Sequence, residues 1–227
     1  MRARLRANPD KLHLGLMLAL TFTTGIVDAV GYLGLDRVFT GNMTGNVVIL
    51  GMAVTGADDL PVVGPIIALV LFMIGAAVAG RTLRNQPVGW NTRNTVLFGV
   101  VGLILLVAAL PALLLERSET VNFAITGALG LAMGMQAGAA RHIGVKDVTT
   151  VVVTSTLVGL AFDSRFGGGT GNQPWFRRAG AVLLIGLGAA VGALLLHVHV
   201  GLGMAVAAVI TLAVALLGHV GKPGPST

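Results

Sequence analysis

The chain has 227 residues, 55% of them hydrophobic and only 11% charged, with a mean hydropathy of +0.88. A soluble core of this size cannot bury so much apolar side chain, so the solvent is lipid, and the 33 glycines suit helices packed closely within it. The formal charge of +6 does not point to nucleic acid, because the basic residues lie between apolar runs rather than in one patch, and the lack of cysteine excludes disulfides and thiolate metal sites.

The first apolar run, Leu12–Leu33, follows a basic N-terminus. It is too long for a signal-peptide core and has no A-x-A-like cleavage site, so it is expected to remain as the first span. Further runs follow at Val38–Val54, Val62–Gly80, Thr95–Leu115, Thr120–Ala140, Val148–Phe162, Ala179–Val198 and Gly201–Val220. Six of the eight are long enough for a hydrocarbon core that needs about 20 helical residues. The exceptions, Val38–Val54 and Val148–Phe162, are short and follow the preceding run with almost no loop.

Charge decides whether the short runs cross. Of the 15 Lys and Arg residues, eight crossings with a cytoplasmic N-terminus would leave nine inside and six outside. If both short runs enter and leave on one side, only Arg37 and Arg117 remain outside and the other thirteen lie inside. The second arrangement fits the positive-inside rule far better. It predicts six crossings, two re-entrant segments and both termini in the cytoplasm.

The short runs are also copies of each other. At an offset of 110, Gly34, Val38, Thr40 and Thr44 fall on Gly144, Val148, Thr150 and Thr154, while Asn46 falls on Thr156 and Leu50 on Leu160. A shift of three more residues brings Gly75-Ala76-Ala77-Val78 onto Gly188-Ala189-Ala190-Val191. One membrane domain, residues 1–227, thus reads as a repeat over about 12–115 and a second over about 120–220. Three crossings per half turn the second copy upside down, and such inverted halves recur in transporters, with the site at their interface.

Within the second copy, Val148 to Val153 are six consecutive β-branched residues, which favour extended backbone. Thr154 and Ser155 then offer N-cap chemistry for a short helix. The first copy repeats the pattern, with Arg37–Met43 as the limb and Thr44 as the cap of a helix running to about Val54. The expected fold is therefore all-α and membrane-embedded. It consists of two inverted repeats of three crossing helices plus one re-entrant half-helix each, with short extended limbs before the half-helices. Each half-helix would direct its unsatisfied N–H groups at the midplane. Thr40, Asn42, Thr44 and Asn46 would line the resulting chamber from one side, and Thr150, Thr154, Ser155 and Thr156 from the other. Such a chamber suits an anionic or neutral polar solute over a bare metal cation.

Asp28 is the acid well inside an apolar run, in GIVDAVGY. Ionisable groups in a span usually mark a pathway or proton relay, so Asp28 is the candidate for coupling. It also stands near the end of its run, where it can cap the following turn or pair with Arg37. Both roles stay open. Its repeat partner is Gly138, and Gln136 is the nearest polar group in the second copy. Trp90, Trp175 and Tyr32 fall at expected interfaces, where amphipathic rings anchor. His197 and His199 are two apart and share no helix face, which argues against a metal site. No catalytic triad, paired carboxylates, cofactor motif or metal-ligand set emerges, so an enzyme is not expected.

The stretch GIVDAVGYLGLDRVFTGNMTGN resembles the signature of the YoaK family of bacterial multi-pass inner-membrane proteins. The matching residues are Asp28, Ala29, Tyr32, Leu33, Phe39, Met43, Thr44, Gly45 and Asn46. The resemblance implies a bacterial inner-membrane location and brings no established activity or substrate. The residues themselves favour a small-solute transporter, with a passive channel or a non-transporting membrane scaffold or regulator as alternatives. Its partners would be the lipid bilayer and a small-molecule or ion substrate, with homo-oligomerisation left open.

Overall fold

A computed structural model describes residues 8–57, 59–116, 118–145, 153–169 and 175–222. Among these the regular structure is entirely helical. Six long helices are α1 (Pro9–Gly34), α3 (Val63–Leu83), α4 (Thr92–Leu114), α5 (Glu119–Ile143), α7 (Trp175–Leu196) and α8 (Val200–Gly221). Two short ones are α2 (Met43–Ala53) and α6 (Val153–Phe162), and a 3₁₀ turn spans Arg165–Gly167. The six long helices are all long and apolar enough to cross a membrane. Their outward surfaces are apolar too, with Leu103 and Val107 on α4 and Leu183, Leu187 and Leu194 on α7 exposed, which a lipid solvent permits and water does not.

Local chemistry sets the helix ends. Asn91 and Asn94 form a reciprocal cap at the start of α4, the Ser118 hydroxyl accepts the Val121 N–H at the start of α5, and Gly144 closes α5 with φ +69°. His199 accepts the Gly201 N–H through Nδ1 at 3.2 Å, so this member of the H-x-H pair serves as the cap of α8.

Glycines determine how the helices pair. On α1, Gly25 faces the Ile185 carbonyl and the Ala189 N–H of α7, while Gly188 of α7 faces the Phe22 carbonyl of α1. On α3, Gly75 faces the Leu131 carbonyl and Met135 N–H of α5, while Gly134 of α5 faces the Phe72 carbonyl of α3. A Cβ at any of the four would run into a backbone carbonyl, so only hydrogen lets the helices come this close. The residue order along these contacts gives direction. Contacts advance together along α1 and α7 (Phe22 with Gly188, Ile26 with Gly192) and along α3 and α5 (Ala68 with Gly130, Ala76 with Gly138), so each pair is parallel. Along α4 and α8 they run oppositely, from Trp90 with Gly218 to Leu113 with Gly201, so that pair is antiparallel.

The segment joining α1 to α3 returns to the end it left. Val38 donates its N–H to the Gly31 carbonyl near the end of α1 at 3.4 Å, and its side chain also packs on Gly64 at the start of α3. Thus α1 and α3 are antiparallel although α2 lies between them.

Several local expectations need correction. The cap of α2 is Asn42, whose side chain accepts the Gly45 N–H, and Thr44 is the second residue of the helix. Thr154 and Ser155 likewise stand inside the first turn of α6, which runs from Val153, rather than before it. The first limb is not extended: three successive N–H groups, from Thr40 to Asn42, reach one oxygen atom, whereas in a strand they would alternate sides. Of the second limb, Val148–Val153, residues 148–152 lie outside the described residues, and Val153 is helical, the first residue of α6. Trp90 is not an interface anchor. It is 4% exposed, donates Nε1–H to the Thr95 hydroxyl at 3.0 Å and stacks on His13, filling the space left by Gly218.

Candidate functional site

The site begins with a turn that reverses the chain over the end of α1. Asp36 and Arg37 adopt left-handed backbone, φ +67° and +56°, and swing the chain back along the helix. It can lie close because Gly31 carries no side chain where the Val38 carbonyl sits. The returning backbone then meets Asp28, six residues before the end of α1 and about 9 Å below it.

Asp28 organises the returning segment. Its Oδ1 accepts the N–H groups of Thr40 at 3.0 Å, Gly41 at 2.7 Å and Asn42 at 3.3 Å. Three convergent N–H groups form a concave donor set that complements a carboxylate. The partner of Asp28 is thus backbone rather than Arg37. Oδ2 makes no hydrogen bond with the described residues, and the side chain borders a cavity of about 530 Å³.

The neighbouring polar residues hold this turn in place. Asn46, fully buried, accepts the Phe39 N–H at 2.9 Å and donates to the Phe39 carbonyl at 2.6 Å, so one amide serves as a strand partner for one residue. The Thr40 hydroxyl donates to the Val27 carbonyl at 3.4 Å. Both are committed to the protein's own backbone, and neither borders the cavity. Unsatisfied, these groups would each cost about 1–3 kcal/mol when buried.

The cavity collects the start of both short helices. Asn42, Thr44 and Gly45 from the first and Val153 and Thr154 from the second line it. Thr44 and Thr154 hold the same place, second residue of their helices. Ile185, the eleventh of the 22 residues of α7, lines it too, which sets the cavity at mid-helix depth. Of the remaining sequence candidates, Ser155 and Thr156 are on α6 but do not border the cavity, and Thr150 lies outside the described residues.

Four contributors were not expected as site residues. Thr24 and Tyr32 line the cavity with Asp28, and the spacing of four residues on either side of the acid is the signal that places all three on one helix face. Tyr32, expected as an interface anchor, instead stacks on Phe39 at 4.8 Å, and both rings form part of the wall. Gln136 is fully buried on α5 and donates to the Thr24 hydroxyl at 3.1 Å, linking the cavity wall to the second half of the chain. Among the described lining residues there is no Lys, Arg or His, and Asp28 is the one formal charge.

A family model described as "Protein of unknown function (DUF1275)" matches residues 16–217. The chain is 33% identical over 149 residues to the UPF0700 transmembrane protein YoaK of Bacillus subtilis (strain 168), across 65% of this chain and 65% of that protein. The match therefore covers just under two thirds of the relative's length. No solved structure matches.

Proposed function

The chain belongs to the DUF1275 family and is similar to a transmembrane protein of Bacillus subtilis, and from that and the site we propose that it is a small-solute transporter. In this reading two inverted halves, residues 12–115 and 120–220, each contribute three crossing helices and one re-entrant half-helix. The duplication is supported by the glycine contacts. Gly25 against Ile185 in one pair resembles Gly134 against Phe72 in the other, and Gly188 against Phe22 resembles Gly75 against Leu131, with α3 and α7 related by the offset of 113 and α1 and α5 by 109, one residue from the register of the Thr positions. Re-entry of α2 is supported by the antiparallel α1 and α3. Were α2 and α6 both crossings, α4 and α8 would be the fourth and eighth spans and would run parallel, whereas their contacts run oppositely. Both termini then lie on one side, which the positive-inside rule makes the cytoplasm of a bacterial inner membrane.

The observation that carries the function is the shared cavity at mid-helix depth, bordered by the N-terminal turns of both short helices and by Asp28. Polar, irregular backbone at that depth is tolerated where it lines a watery cavity. Asp28 brings a carboxylate to the wall and takes three of the backbone donors that would attract an anion, and among the described lining residues no cationic side chain offsets it. The solute is therefore a small neutral polar molecule rather than an anion. The free Oδ2 of Asp28 is the coupling site for a proton, and Thr44 and Thr154 supply hydroxyls to the solute from opposite halves. A carrier rather than an enzyme fits, because among the described lining residues no second carboxylate, Lys or His stands beside Asp28.

Proteoliposomes carrying a trapped pH-sensitive dye test this with a panel of urea, glycerol and zwitterionic amino acids. We expect solute-dependent proton entry in the wild type. Asp28→Asn abolishes the proton signal but keeps downhill solute flux, and Thr44→Val with Thr154→Val abolishes both. Proton-independent flux in the wild type, unaffected by Asp28→Asn, would favour a channel. Folded protein that moves none of the panel would count against transport of this solute class.

A further inference from the structure

A second cavity, of about 380 Å³, lies between the C-terminal ends of α3 and α5 and is separate from the Asp28 site. Arg84 and Arg141 line it together with His142, and no carboxylate of the described residues does. Neither guanidinium has a hydrogen-bond or ion-pair partner among the described residues. The imidazole is half-used: Nε2 faces the Gln86 carbonyl at 3.3 Å, while Nδ1 is buried without a partner. These cations are not needed to complement the helix ends, because Arg93 already donates to the Thr82 carbonyl at 2.7 Å and the Gly144 N–H closes α5 on the Ala140 carbonyl. Two guanidinium groups with no counter-charge among the described residues, beside an imidazole edge that is not fully used, describe a site for an anion.

The surface leading away from the cavity identifies the kind of anion. Met73, Ala77 and Gly80 follow one another at intervals of four and three residues on α3, Arg84 comes four residues later as its C-cap, and all four are exposed. Eleven residues of helix cover about 16 Å, close to half of the ~30 Å hydrocarbon core. The stripe is apolar and shallow beneath a cationic head, the shape of one leaflet's phospholipid. We propose that this cavity binds the phosphate of an anionic membrane lipid, with Arg84 and Arg141 on the phosphate oxygens and an acyl chain along Met73, Ala77 and Gly80. The proposal does not depend on the transport reading.

Gly80 provides a test that leaves every charge in place, since a Cβ there meets nothing within 4 Å and a larger side chain grows into the cavity. Detergent-purified full-length protein is titrated with phosphatidylglycerol, phosphatidylcholine or inorganic phosphate and read by native mass spectrometry and thermal unfolding. We expect phosphatidylglycerol to bind at least tenfold tighter than phosphatidylcholine. That preference should fall at least tenfold in Arg84→Gln/Arg141→Gln and in Gly80→Leu, while the melting temperature without lipid stays unchanged. Inorganic phosphate alone should give no stabilisation. Equal lipid preference in wild type and Gly80→Leu would overturn the site. Stabilisation by inorganic phosphate that matches phosphatidylglycerol would overturn the lipid and leave a soluble anion as the ligand.

Discussion

Replacing Asp28 separates a structural carboxylate from one that only awaits a solute. In Asp28→Ala three N–H groups, donating at 3.0, 2.7 and 3.3 Å, lose their acceptor at once. The residues carrying two of them, Thr40 and Gly41, are buried, while Asn42 is exposed and its N–H can turn to water. At about 1–3 kcal/mol for each buried donor left unmade, Asp28→Ala costs roughly 2–6 kcal/mol. Asp28→Asn keeps an oxygen for the same donors and loses only the charge assistance, about 1 kcal/mol per bond, or roughly 1–3 kcal/mol in all. Thermal unfolding in detergent should therefore rank wild type above Asn above Ala. Hydrogen exchange should show the amides of residues 38–46 deprotected in Asp28→Ala, with α4 and α8 unchanged. The reasoning fails if Asp28→Ala melts with the wild type and the amides of Thr40 and Gly41 exchange no faster.

Two further outcomes follow from the packing. Gly75→Ala and Gly188→Ala each press a methyl onto a backbone carbonyl of the neighbouring helix, and each should cost about 1–3 kcal/mol. Gly180→Ala and Gly186→Ala meet open space and should be neutral or gain about 0.5–1 kcal/mol from helix propensity. Matching losses at the two packed positions, measured by thermal unfolding, are the outcome a duplication demands, and a loss at only one of them would count against it. Because the protein has no cysteine, single Asp59→Cys and Arg84→Cys variants can be labelled in intact cells with a membrane-impermeant maleimide. We expect position 59 to react from outside and position 84 to be protected, and the reverse pattern would restore eight crossings.

Much of the architecture is legible in the chain because lipid imposes a strong and simple requirement. A helix must carry about 20 apolar residues to cross, so run length alone separates the six long helices from α2 and α6. The matching Thr, Gly and GAAV positions on which the proposed duplication rests are likewise visible, as is the YoaK-like stretch around Asp28. The polar residues were harder to interpret individually. Thr40, Asn42, Thr44 and Asn46 look alike in sequence, yet Asn42 and Thr44 face the cavity while Thr40 and Asn46 hold backbone. The difference comes from two left-handed residues, Asp36 and Arg37, that curl a segment whose composition suggests an extended limb.

What the sequence by itself determined is the solvent, the family, the number of helices long enough to span and the place of the polar interruptions. These follow from hydropathy and spacing, which are properties of one segment at a time. Only the tertiary structure decided that Asp28 serves three backbone donors, that Trp90 is buried against Gly218, that Tyr32 and Thr24 join the cavity wall, and that Gln136 reaches Thr24 from the other half. Each depends on which helices approach closely enough to touch. That is set by glycines such as Gly25 and Gly75, distant in the chain from the residues they bring together, and no local pattern encodes it.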